Sequence, residues 1–136
     1  MATNSFTIGQ RAERSMHITA EMVQKYAEIS GDFNPLHFDK EFTKKTKYGR
    51  LIAQGGVITG VLNAIVSMDV PGPGTVFMHE DYNYKAPVYI GDYITGSIEI
   101  YEVHPTKPVT KINVKIVNQK KDVVLEGKAV LYTFQI

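Results

Sequence analysis

The clearest periodicity lies in the last third of the chain. Ile94, Ile98 and Ile100 share one parity, with Thr95, Ser97 and Glu99 on the other. Ile112, Val114 and Ile116 alternate against Lys111, Asn113 and Lys115. Val123, Leu125, Ala129 and Leu131 alternate against Glu126, Lys128 and Tyr132. The segments His104-Pro105-Thr106-Lys107-Pro108 and Gln119-Lys120-Lys121-Asp122 separate these runs as turns. Period-two alternation over long runs joined by tight turns predicts an antiparallel sheet with one dry face. An earlier run, in which Val76, Met78, Tyr82 and Tyr84 share a parity, predicts another strand before the punctuation at Pro87 and Gly91-Asp92. Residues 5–17 read as an extended lead-in with a turn near Gly9-Gln10.

Two stretches break this pattern towards helix. From about Ala20 to Ile29, Val23, Tyr26 and Ala27 fall on one face; Thr19 is a suitable N-cap, Glu21 suits the first turn and Gly31 a stop. Residues 55–68 carry almost no charge, and their apolar side chains fall all round the helical wheel. Such a helix is normally buried on every side, and it is the natural cover for the dry face of the sheet. The class expected is therefore α+β. Gly55 and Gly56 open this helix, where free N–H groups and the helix dipole favour negative charge. Pro71-Gly72-Pro73-Gly74 then acts as a connector; no Gly-Lys-Ser/Thr follows, so it is not a phosphate loop.

Between the two helices lies a polar turn, Ser30-Gly31-Asp32-Phe33-Asn34-Pro35-Leu36-His37, followed by a short helical piece at 39–42. Asn34-Pro35 disfavours helix at Asn34. A carboxylate and an imidazole five residues apart on a bent loop can converge on one small molecule and exchange protons with it near neutral pH. Asn34 can fix the loop or orient a ligand. The bland reading is that Asp32 caps the turn and His37 is a satisfied core residue. No serine or threonine here has the elbow of a hydrolase nucleophile. The spacing fails as a calcium loop, and no third ligand accompanies the Asp–His pair, so no metal is expected.

The stretch Tyr26 to Asp39 resembles the signature of the (R)-specific enoyl-CoA hydratases of the MaoC-like family, and the likeness extends through Arg50–Gly55 and Pro87–Asp92. The resemblance implies a hot-dog fold, with a long antiparallel sheet wrapped around a central helix, as a single domain over 1–136. It implies that Asp32 and His37 bind the water added across a trans-2-enoyl thioester, and that Asn34 supports them. It implies that the Gly55 N–H binds the thioester carbonyl. An acyl-CoA substrate, no cofactor, and a homodimer or higher homo-oligomer follow from the same likeness. Where the family commonly has His-Gly-Met, this chain has Gln54-Gly55-Gly56. Gln54 cannot titrate, and Gly56 is expected to loosen the helix start or widen the pocket. Thr59 and Asn63 are expected along the acyl pocket wall. A non-catalytic acyl-CoA-binding protein and a hot-dog thioesterase are the competing functions.

Composition narrows the rest. With 136 residues, 43% hydrophobic and 21% charged, one domain with a real core is expected. The net charge of +1 gives no reason to expect nucleic acid. The absence of cysteine excludes disulfides and thiol nucleophiles. No apolar run is long enough to cross a bilayer, and the segment from Met1 to Phe6 shows no secretory signal, so a cytoplasmic location is expected. Lys44, Lys45, Lys47 and Arg50 form a basic cluster, read either as a solvated loop or as a contact for ligand phosphates. His17, His79 and His104 are expected to be surface or structural residues.

Overall fold

The computed structural model describes residues 6–135. Met1 to Ser5, where no secretory signal is expected, and Ile136 lie outside the described residues. In chain order come β1 (Arg11–His17), α1 (Ala20–Ser30), a 3₁₀ turn (Pro35–His37), α2 (Lys40–Lys44) and α3 (Gly55–Met68), then β2 (Thr75–Tyr84), β3 (Tyr93–Val103), β4 (Val109–Val117) and β5 (Val123–Thr133). The strands form one antiparallel sheet in the order β1-β3-β4-β5-β2.

The alternating isoleucines do what their parity predicts. Ile94, Ile98, Ile100, Ile112, Ile116 and Leu125 are buried on one face. Against that face lies α3, which buries Val57, Ile58, Val61, Leu62, Ile65 and Val66. Each such aliphatic side chain contributes about 1.5–3 kcal/mol by leaving water. Gly96 in β3 is where the helix seats: a Cβ there would lie 2.8 Å from Val61 Cγ1.

Two expectations need correction. The α3 helix is not buried all round. Its outer side holds Gly56, Thr59, Gly60, Asn63 and Ser67; Asn63 is exposed and the others are half-buried. Small and polar residues fill that strip, so a wheel without charges still has a wettable side. The second correction concerns β2. Its register against β5 shifts between Phe77 and His79, and this bulge reverses the parity at Met78. Val76, Met78 and Tyr84 are exposed, whereas Phe77 and Tyr82 pack on the core from opposite sides of the bulge. In β5, Val124 is also buried beside the expected Leu125, Ala129 and Leu131.

Tyr82 brings a testable cost. Its hydroxyl is buried and has no hydrogen-bond partner among the described residues. Burial, then the nearby Glu80 and Tyr84, push its pKa well above the ordinary tyrosine value. The native state therefore keeps this proton at a pH where the unfolded chain releases it, so stability falls as pH rises above about 10. Tyr82→Phe should remove that alkaline loss and add roughly 1 kcal/mol at neutral pH, since an unsatisfied buried hydroxyl disappears. Urea titrations at pH 8 and pH 10.5 check both effects.

No helix among the described residues is long and apolar enough to cross a membrane.

Candidate active site

The polar turn is built by short-range hydrogen bonds that its own residues supply. Thr19 Oγ1 accepts from Met22 N–H at 3.2 Å and starts α1. Gly31 ends the helix in the left-handed region, φ 82°, and its N–H donates to Ala27 O; a glycine takes this conformation without steric cost. Ser30 Oγ donates to Tyr26 O and accepts from Asp32 N–H. Asp32 Oδ1 accepts from Asn34 N–H at 3.3 Å, and Asn34 Oδ1 accepts from Leu36 N–H at 3.1 Å. Pro35 then begins the 3₁₀ turn that ends at His37. These stacked side-chain-to-backbone turns bring positions 32 and 37 to the same side.

The result is a short gap between two side chains. His37 Nε2 lies 3.6 Å from Asp32 Oδ2, with the imidazole 8% exposed and the carboxylate 42% exposed. The other ring nitrogen, Nδ1, lies 2.7 Å from Ile52 O. A carbonyl oxygen only accepts, so Nδ1 carries the hydrogen and Nε2 of the neutral ring turns its lone pair towards Asp32. Two acceptors thus face each other, too far apart for a direct hydrogen bond. Residues 51–53 are held in turn: Ile52 N–H donates to Leu36 O, Ala53 N–H to Val88 O, and Ile90 N–H to Leu51 O.

Beyond Ile52 a cleft of about 540 Å³ opens, with Ile52, Ala53, Gly55, Ile58, Tyr84 and Tyr89 among its lining residues. Asp32 and His37 stand beside this cleft, joined to its wall through the Ile52 carbonyl, and are not part of its lining. The first turn of α3 has no side-chain cap, because Gln54 directs its carboxamide elsewhere. Gln54 is 1% exposed. Its Nε2 donates to Val23 O at 3.0 Å and reaches Asp32 O at 3.5 Å, and its Oε1 is buried without a partner among the described residues. Gln54 therefore ties α1 and the backbone of Asp32 to the residue next to Gly55.

Gly56 does not widen the cleft. A Cβ there would overlap the phenol of Tyr26, so the aromatic ring occupies the space that a side chain would take. Gly55 is similarly flanked by Tyr84, whose Oη would lie 3.2 Å from an added Cβ. Thr59 Oγ1 turns back to Gly56 O at 3.4 Å, and Asn63 is exposed on the outer side of α3; neither lines the cleft. Asn34 spends its carboxamide oxygen on the turn itself.

The basic cluster divides. Lys47 lies over the Tyr48 ring and lines the cleft. Arg50 stacks on Tyr89 with its guanidinium carbon 3.9 Å from the ring centroid. Lys44 pairs with Glu41. The remaining histidines sit apart from the site: His17 stacks on Tyr93, His104 Nδ1 accepts from Thr106 and Lys107 N–H, and His79 is exposed on β2. Reading the sequence missed Tyr26, Tyr84 and the Ile52 carbonyl, since each acts through a partner remote in the chain.

The family profile described as a MaoC like domain matches residues 3–124. The chain belongs to the MaoC-like family. This MaoC-like protein is 30% identical over 131 residues to the (R)-specific enoyl-CoA hydratase of Aeromonas caviae, covering 96% of this chain and 98% of that one. It is 33% identical over 114 residues to the 3-hydroxybutyryl-CoA dehydratase of Methylorubrum extorquens, covering 84% of this chain and 72% of the other. A solved structure described as an (R)-hydratase from A. caviae involved in PHA biosynthesis superposes with a TM-score of 0.92 at 29% identity, covering 97% of this chain and all (100%) of that one. The MaoC-like chain thus has the hot-dog fold that its motifs imply.

Proposed function

We propose that this MaoC-like protein hydrates CoA thioesters reversibly, converting a trans-2-enoyl-CoA to the (3R)-3-hydroxyacyl-CoA. Relatives named as an enoyl-CoA hydratase and a 3-hydroxybutyryl-CoA dehydratase support the two directions of that reaction. The observation that carries the reading is the 3.6 Å gap between Asp32 Oδ2 and His37 Nε2, with Nδ1 committed to Ile52. A water donates one hydrogen to each acceptor, and so is oriented and made nucleophilic by both. Asp32 is the base towards that water, whose oxygen bonds to C3 as the C2–C3 π electrons move towards the thioester carbonyl. The proton returns to C2 through the same pair, with His37 helping to deliver it. The two groups act as a coupled unit. The Gly55 N–H, uncapped at the start of α3, faces the enolate oxygen; one such donor contributes on the order of 10²–10³ in turnover. Asn34 holds the turn, and Gln54, which directly precedes Gly55, reaches the backbone oxygen of Asp32.

The substrate's carrier end fits the part of the cleft lined by Lys47 and Lys85. Their charge suits the phosphates of coenzyme A. The reading extends to a cytoplasmic homodimer or larger homo-oligomer. In this chain β1 and β2 are the sheet edges, β2 exposes Val76 and Met78, and such edges are normally covered.

Loss of the enoyl thioester absorbance on adding the protein to crotonyl-CoA, with no free thiol released, is the expected result. Thiol release without hydration would indicate a thioesterase. Binding of CoA thioesters without turnover at any chain length would indicate a binding protein. Sedimentation should show a species heavier than the 15.2 kDa chain.

A further inference from the structure

Resting on the hydratase reading above, we propose that the Tyr84 hydroxyl is a second hydrogen-bond donor to the thioester carbonyl, working beside the Gly55 N–H. Tyr84 is the last residue of β2, and the strand delivers its ring to the first turn of α3. An added Cβ on Gly55 would lie 3.2 Å from Tyr84 Oη and 3.3 Å from Cε2. With N–Cα and Cα–Cβ bonds of about 1.5 Å, the hydroxyl lies within about 6 Å of the Gly55 nitrogen. One oxygen accepting ordinary hydrogen bonds from both donors bridges a span of about 5.5 Å. Gly55 and Tyr84 line the same cleft.

Three further observations point to this hydroxyl. Among the described residues its hydroxyl makes no hydrogen bond, and with Tyr84 57% exposed the donor is available to a ligand. Gly55 lines the cleft whereas Gly56 does not, its side-chain position being occupied by Tyr26. The open donor at this helix start is therefore Gly55, and Tyr84 is the side chain against it. Partial burial, then Glu80 and Tyr26, also raise the Tyr84 pKa, which keeps the phenol protonated and able to donate.

The role differs from that of Asp32 and His37. As the water oxygen bonds to C3, negative charge gathers on the thioester oxygen until C2 takes its proton. A donor aimed at that oxygen favours the charged state over the neutral substrate, and so raises kcat more than it lowers KM.

Tyr84→Phe removes one O–H and nothing else. The lost hydroxyl has no protein partner, so the unfolding midpoint should match that of the wild-type protein. Expected is a 10- to 100-fold fall in kcat for crotonyl-CoA hydration, with KM changed less than threefold. Turnover within twofold of wild type would overturn the proposal while leaving the hydratase reading intact. A rise in KM with unchanged kcat would also overturn it, because that is the mark of ground-state binding. A wild-type protein that hydrates no enoyl-CoA would defeat the underlying reading as well, and the wild-type arm reports this separately.

Discussion

Asp32→Asn should lower enoyl-CoA hydration by about 10³-fold or more while the chain stays folded. General acid–base groups contribute about 10²–10⁴, and on the proposed reading Asp32 is the base towards the water. Asparagine keeps an Oδ1 that can accept from Asn34 N–H, so the turn survives. What it loses is the second acceptor opposite Nε2: an amide group there donates to the imidazole and displaces the bridging water. His37→Gln should be comparably damaging to turnover. It should also cost about 1–2 kcal/mol of stability, because the buried ring and its bond to Ile52 O are lost. The double variant should be little worse than the poorer single one, since one water serves both groups. Steady-state hydration rates beside urea unfolding curves separate the two effects. A half-active Asp32→Asn enzyme would remove Asp32 from the chemistry.

Gly56→Met should damage stability and turnover together. Methionine is the residue that the family resemblance leads one to expect there, yet in this chain the space belongs to Tyr26. The new side chain must expel the phenol, and Tyr26 lies on α1 between the buried Val23 and Ala27. Overpacking of this kind costs about 1–3 kcal/mol. Because α1 leads directly into Gly31 and Asp32, displacement of the helix also moves the base, and turnover should fall tenfold or more. Tyr26→Ala in the same chain should restore much of the loss, a non-additivity expected of two residues competing for one volume. If Gly56→Met alone is neutral in stability and rate, Tyr26 does not hold that space in solution.

Much of this was legible from local pattern. The parity of Ile94, Ile98 and Ile100 fixed which face of β3 is dry, because alternation is a property of the strand itself. Thr19 and Gly31 marked the ends of α1 because capping uses residues adjacent in the chain. Asp32 and His37 were readable as a pair for the same reason: the turn that joins them is made by Asp32, Asn34 and Pro35. Illegible features were those decided by remote partners. The anchor of His37 is a main-chain oxygen, which leaves no mark in the identity of Ile52. The glycine at 56 read as missing bulk, because only tertiary packing shows Tyr26 supplying it. Val76, Met78 and Tyr82 share a parity in the sequence, and only the bulge puts Tyr82 on the core side while Val76 and Met78 face out.

The imidazole's orientation depends on the peptide oxygen of residue 52, whereas that residue's side chain is part of the cleft wall. The two duties are separable. On the proposed function, mutation at this position can reshape the space offered to an acyl tail without disturbing the orientation of the imidazole, which gives evolution, or a designer, a route to new chain-length preference.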